Sequence, residues 1–126
     1  MAEKYYLGFK NINAYIISFH LSNYICGLVM KWDDFAKETI GKQYVRAIDS
    51  VSANIAEGFG RYGKKDKIKF YRYSFGSIKE SQDWTQKALI RKLITKEQYV
   101  YIMGKVNELP REINHLIKYT NEKLAI

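Results

Sequence analysis

The chain has 126 residues, 47% of them apolar and 15% aromatic, which supports one folded domain and leaves little for a second. Its 21 Lys and Arg against 13 Asp and Glu leave a formal charge of +8, which directs attention to nucleic acid, acidic lipid or an acidic protein. A single Cys excludes an intrachain disulfide framework and a cysteine-rich zinc site, so a reducing cytoplasm is the expected compartment; one Pro and eight Gly exclude collagen-like or linker-dominated chains.

The first expected helix covers about residues 8–31, and its stretch 11–30 carries no charged side chain. That length suits a membrane span, but Asn11, Asn13, Ser18, His20, Ser22 and Asn23 are too many polar groups for lipid. No A-x-A-like cleavage site follows, so neither a span nor a signal peptide is expected. Ile12, Ile16, Phe19, Asn23, Cys26 and Met30 recur at alternating spacings of four and three and are read as the inward stripe. Ile17, Leu21, Tyr24 and Leu28 form a second, adjacent stripe. Two stripes exceed what a lone bundle needs, so this helix is expected to meet another subunit as well.

Trp32-Asp33-Asp34 breaks the pattern, and a second helix follows over about 36–59 with Ile40, Tyr44, Ile48, Val51 and Ile55 inward. The run from Gly58 to Lys65 is a turn, in which Gly58 or Gly60 is expected to supply a positive φ at the helix C-cap. A third helix over about 66–92 carries Ile68, Tyr71, Phe75, Ile78, Gln82, Thr85 and Leu89 on one stripe, with Asp66 suited to its first turn. Thr95 and Gln98 read as a capping box opening a fourth helix, about 96–122, whose stripe is Ile102, Val106, Leu109, Ile113 and Leu116. Pro110 is expected to kink or split it. No segment alternates with period two, so no strand is expected. Short connections make successive helices antiparallel neighbours, which gives an all-α, up-down-up-down four-helix bundle as a single domain over 1–126.

Two strings imitate catalytic motifs. Gly58-Phe59-Gly60-Arg61-Tyr62-Gly63 matches G-x-G-x-x-G, but it follows a helix where a dinucleotide fold needs a strand. Its glycines expose backbone N–H groups before a helix start, beside Arg61, Lys64 and Lys65, a place suited to phosphate. Glu112-x-x-His115 is half of a di-iron bundle motif whose second half is missing. Cys26 has no acid–His pair near it in sequence and reads as packing. No enzyme activity, metal or cofactor is expected.

The charge has an address. Arg61, Lys64, Lys65, Lys67, Lys69 and Arg72, opposed only by Asp66, put +5 into twelve residues. Lys65, Lys69, Arg72 and Lys79 share one face of the third helix, and Tyr62 and Tyr73 sit among them, able either to pack or to stack on unpaired bases. A polar line accompanies them: Ser50, Asn54 and Glu57 on the second helix, and Gly76, Ser77 and Glu80 on the third. If the two lines face each other, Gly76 allows close approach, and a buried carboxylate would need Arg46, Arg61 or a backbone donor; otherwise Glu57 and Glu80 are simply exposed.

Gln43-Tyr44-Val45-Arg46-Ala47, then Ser50, Asn54-Ile55-Ala56-Glu57-Gly58 and Arg61, with the later Gly76-Ser77 and Glu80, resemble the hallmark of the 23S ribosomal RNA intervening-sequence protein family, also called four helix bundle proteins. The resemblance spans about residues 8–122 and departs from the pattern at Tyr71 and Ser74, where the family usually has Leu and Ala, and in a linker without the common Pro. It implies an all-α bundle assembled as a ring, a homopentamer, with no established catalytic activity. The family is also similar to the accessory protein of diversity-generating retroelements, a basic pentameric bundle that binds nucleic acid and a reverse transcriptase. The expected function is therefore that of a non-enzymatic, nucleic-acid-binding accessory protein contacting RNA or DNA phosphate through Arg61, Lys64, Lys65, Lys67, Lys69, Arg72 and Lys79. The alternative is a scaffold for a protein partner, its basic face serving solubility or an acidic surface.

Overall fold

The computed structural model describes residues 12–124, so the part of the first expected helix over 8–11 lies outside the described residues. Every regular element among the described residues is helical. Four long helices carry the structure: α1 (Asn13–Val29), α2 (Lys42–Phe59), α3 (Lys64–Ile90) and α4 (Lys96–Lys123). α1 packs on α2, α2 on α3, α3 on α4, and α4 back on α1, which closes a four-helix bundle.

Each start and stop has a local cause. The Asp33 carboxylate accepts the Ala36 N–H at 2.9 Å and opens one turn, Asp34–Ala36, which runs through a π-helical turn, Lys37–Gly41, directly into α2. Gly41 fits that passage because a Cβ there would lie 2.8 Å from Val29 Cγ1. The capping box is present: the Gln98 N–H donates to Thr95 Oγ1 at 3.0 Å, and the Thr95 N–H to Gln98 Oε1 at 2.8 Å. α3 closes with Lys92 at φ 62°, the Leu93 N–H reaching the Ala88 carbonyl at 2.8 Å and the Lys92 N–H that of Leu89 at 3.0 Å. This is a Schellman motif in which lysine occupies the position glycine usually takes.

The core stripes of α2 and α4 follow the expected registers; on α3, Ile68, Tyr71, Ile78 and Thr85 are buried as expected, whereas Phe75, Gln82 and Leu89 are half-buried and Ser74, Ser81 and Ala88 complete the buried row. Tyr44, Ile48, Val51, Ile55, Tyr71, Ile78, Ile102, Leu109 and Ile113 are almost wholly buried. Buried hydroxyls are paired: Tyr44 Oη lies 2.7 Å from Thr85 Oγ1, and the Ser74 hydroxyl donates to the Val51 carbonyl at 3.1 Å.

α1 is turned from its expected orientation. Its buried row is Ala14, Ser18, Leu21, Ser22, Ile25 and Val29, whereas Ile16, Phe19, Asn23 and Met30 are exposed and Cys26 is half-buried. Of the stripe expected inward, only Ile12 is buried. The reason is that Ser18 and Ser22 satisfy their hydroxyls on the helix itself, donating to the Ala14 carbonyl at 2.8 Å and the Phe19 carbonyl at 2.9 Å. Small, self-satisfied side chains let α1 lie close to the core with Leu21, Ile25 and Val29 buried between them, and Ile16, Phe19 and Met30 are left outside.

Three further expectations change. Neither Gly58 nor Gly60 has a positive φ; Gly60 is right-handed at φ −79°, ψ −8°. Gly58 is instead a site of close approach, since a Cβ there would meet Tyr71 Cε1 at 2.7 Å and the Lys67 carbonyl oxygen at 2.8 Å. Gly76 makes no such approach: it is exposed, and a Cβ there would meet nothing within 4 Å. Of the kink or split expected at Pro110, the split does not occur: α4 runs unbroken over 28 residues with Leu109 and Ile113 buried on either side of it.

Candidate nucleic-acid interface

The turn Gly60–Gly63 delivers the chain from α2 to α3 and concentrates cations at the α3 N-terminus. They divide into two groups by what they touch. Lys64 Nζ donates to the carbonyls of Asn121 and Leu124, both at 3.0 Å, and so ties the end of α4 to the start of α3. Lys67 Nζ donates to the Phe59 carbonyl at 2.7 Å at the end of α2, and desolvation there lowers its pKa from the ordinary lysine value. Both ammonium groups sit on the carbonyl-rich ends of helices, where a cation is favoured.

Arg61 is partly committed. Its guanidinium bonds Glu57 at 2.9 Å, lies 4.0 Å from Asp66, and stands 4.5 Å above the Phe70 ring. Lys69 pairs with Asp66 at 3.4 Å. Lys65, Arg72 and Lys79 are exposed and have no hydrogen-bond or ion-pair partner among the described residues. Lys64, Lys65, Lys69 and Arg72, with Ile68 and Asn121, line an open cleft of about 480 Å³ between α3 and the end of α4. Four cations around one cleft, two of them unpaired, make a place for an anion with several charges rather than for a small neutral ligand. Beside it lies an aromatic patch: Phe70 meets Tyr73 edge-on at 5.3 Å, and Tyr62 stands almost free in the turn.

Of the polar line, Ser50 and Ser77 meet, their hydroxyl oxygens 2.6 Å apart, and the Asn54 amide donates to the Ser50 carbonyl at 2.8 Å. Arg46, Glu57 and Glu80 do not join them. Arg46 donates to Gln43 at 3.0 Å, Glu57 pairs with Arg61, and Glu80 accepts from the Trp84 indole at 3.1 Å, all three on the exposed side. The Glu112–His115 pair is 3.9 Å apart with His115 exposed, and among the described residues no three His, Cys, Asp or Glu side chains gather as a metal site requires. Among the described residues, no helix is long and apolar enough to cross a membrane.

Sequence reasoning missed a second cleft, of about 610 Å³, lined by Val29, Met30 and Val45 with Lys37, Lys42, Arg46, Glu38 and Asp49. Burial raises the Asp49 pKa, and the neighbouring Ser22 hydroxyl works against that. Its charges nearly balance, and Lys42 already pairs with Glu38 at 3.2 Å, so it has little pull on a polyanion. No run of like charge marked it, because its residues come from the end of α1, the π turn and α2.

The model of the family described as 23S rRNA-intervening sequence protein matches residues 10–115. The crystal structure of a protein of unknown function from the S23 ribosomal protein family of Bacteroides thetaiotaomicron is similar, with a TM-score of 0.73 and 23% identity over 83% of this chain and 98% of that one. At that identity the likeness speaks for the fold alone. No curated protein matches the chain. A match across most of the chain, with the central Gln43–Arg61 block inside it, is a family assignment: the chain belongs to the 23S rRNA-intervening sequence protein family.

Proposed function

We propose that this chain is a non-enzymatic subunit of a ring-forming bundle that binds the phosphate backbone of RNA or DNA in the cytoplasm as an accessory protein. The observation that carries this reading is the row of unpaired cations, Lys65, Arg72 and Lys79, on one face of α3 beside the cleft that Lys64 and Lys69 complete. Cations left in solvent without carboxylate partners displace the counterions condensed on nucleic-acid phosphates, and that release drives association. The contacts are to backbone, so sequence preference is weak.

The bundle runs up-down-up-down with antiparallel neighbours, supported by the short connections and by Lys64 bridging the start of α3 to the end of α4. The oligomer is a homopentamer on the family's pattern, and α1 supports it. Ile16, Phe19 and Met30 are 36%, 43% and 68% exposed on a helix that has no charged side chain. Five copies at +8 each would carry +40 and repeat the basic face around the ring.

A fluorescence-anisotropy titration at low salt with mixed-sequence RNA and DNA tests the binding. Micromolar protein that binds neither rejects it. The same exposed row on α1 favours a second reading, a scaffold for a protein partner; recovery of one defined protein after nuclease treatment, with no nucleic-acid binding, would replace the first reading with the second.

A further inference from the structure

We infer that the α3 surface prefers unpaired nucleic-acid strands to duplex, because exposed tyrosines are built into the cationic face; this rests on the nucleic-acid reading above. Tyr62 is 83% exposed and Tyr73 51%, so neither ring contributes much to the core. Tyr73 belongs to a connected patch, and Tyr62 stands exposed in the turn that leads into it. Tyr62 follows Arg61, whose guanidinium lies 4.5 Å over Phe70, and Phe70 meets Tyr73 at 5.3 Å with their planes 83° apart. Lys69 reaches the same Phe70 ring at 5.5 Å and also lines the basic cleft, so the aromatic patch and the cleft are continuous.

The chemistry separates the two kinds of strand. In a duplex the base faces are stacked inside, and a protein surface meets only phosphates and groove edges. In an unpaired strand the faces are free, and each one that stacks on an aromatic ring adds affinity regardless of base identity. Tyr73 is braced at its edge by Phe70, and Arg61 is held by Glu57 at 2.9 Å. Rings and guanidinium already restrained lose less freedom on binding. Gly76, four residues beyond Arg72 on the same face, has open space around its Cα and leaves the backbone accessible beside the patch.

The test compares labelled oligouridylate, labelled oligothymidylate and a mixed-sequence duplex of equal length by anisotropy, with the whole protein. The expected result is binding of at least one single strand on the order of tenfold tighter than the duplex. The two single strands distinguish RNA from DNA as the source. Tyr62→Ala with Tyr73→Ala should abolish that preference while leaving duplex affinity and the circular-dichroism melt unchanged, and Tyr62→Phe with Tyr73→Phe should restore it. Equal binding of strand and duplex, or tighter duplex binding, overturns the inference and leaves the nucleic-acid reading standing. A preference that survives loss of both rings also overturns it. Binding to no oligonucleotide overturns the underlying reading.

Discussion

Adding one methyl group at Gly58 and one at Gly76 should move stability in opposite directions. Both glycines lie inside helices, where alanine is favoured by up to about 1 kcal/mol. At Gly76 nothing lies within 4 Å of the added Cβ, so that gain is realised in full. At Gly58 the Cβ would fall 2.7 and 2.9 Å from two carbons of the buried Tyr71 ring and 2.8 Å from the Lys67 carbonyl oxygen. A backbone oxygen cannot swing aside, so α2 and α3 must separate, at an overpacking cost of roughly 2–3 kcal/mol, which exceeds the propensity gain by about 1–2 kcal/mol. For a chain of 126 residues, 1 kcal/mol corresponds to about 4 °C in Tm. Gly76→Ala should therefore raise Tm by about 4 °C and Gly58→Ala lower it by roughly 4–8 °C. Thermal melts and urea titrations at one protein concentration read both. A Gly58→Ala protein as stable as the wild type would refute the close approach of α2 and α3 at this point.

Lys92→Gly should stabilise by about 1 kcal/mol, since Lys92 alone among the described non-glycine residues has a positive φ; an unchanged urea midpoint would contradict the Schellman geometry. At alkaline pH the buried tyrosines should matter. Desolvation pushes Tyr71 up to about 12 and raises Tyr44 as well, so the folded chain keeps protons that the unfolded chain releases above pH 10. Stability is then intact below pH 10 and falls as pH rises toward the folded values, by up to about 1.4 kcal/mol per pH unit for each tyrosine. Tyr71→Phe should make that decline shallower, and an identical slope would count against it. Phe19→Glu, on the outward row of α1, should convert an oligomer to a helical monomer by light scattering; a wild-type protein already monomeric would dismiss the ring.

Much of the fold is legible because α2 and α4 bury large apolar residues at helical spacing, and periodicity reads such rows directly; on α3 it finds Ile68, Tyr71, Ile78 and Thr85 but not the small residues Ser74, Ser81 and Ala88 between them. α1 defeats that reading for a physical reason. Its buried row is half Ala and Ser, and hydroxyls that bond their own helix bury at little cost, so the larger residues outside carry the stronger signal. A positive φ is the usual demand on a helix-ending glycine, whereas Gly58 answers to the Tyr71 ring where α2 meets α3. Charge density locates the basic face but cannot divide it. That Lys64 and Lys67 are committed to helix-end carbonyls depends on where α4 and α2 finish, which no local run of residues encodes.

That division gives the most direct test. Anisotropy titrations with a single-stranded oligonucleotide across a range of salt should be run on the wild type and on the triple variant Lys65→Ala, Arg72→Ala, Lys79→Ala. The expected result is weaker binding by the variant and a log–log salt dependence flatter by about 2, because each phosphate neutralised on a single strand adds roughly 0.7 to the slope. Lys67→Ala should instead lower the melting temperature and leave the salt slope unchanged. A triple variant that binds with wild-type affinity and an undiminished slope would contradict the assignment of this face to nucleic acid.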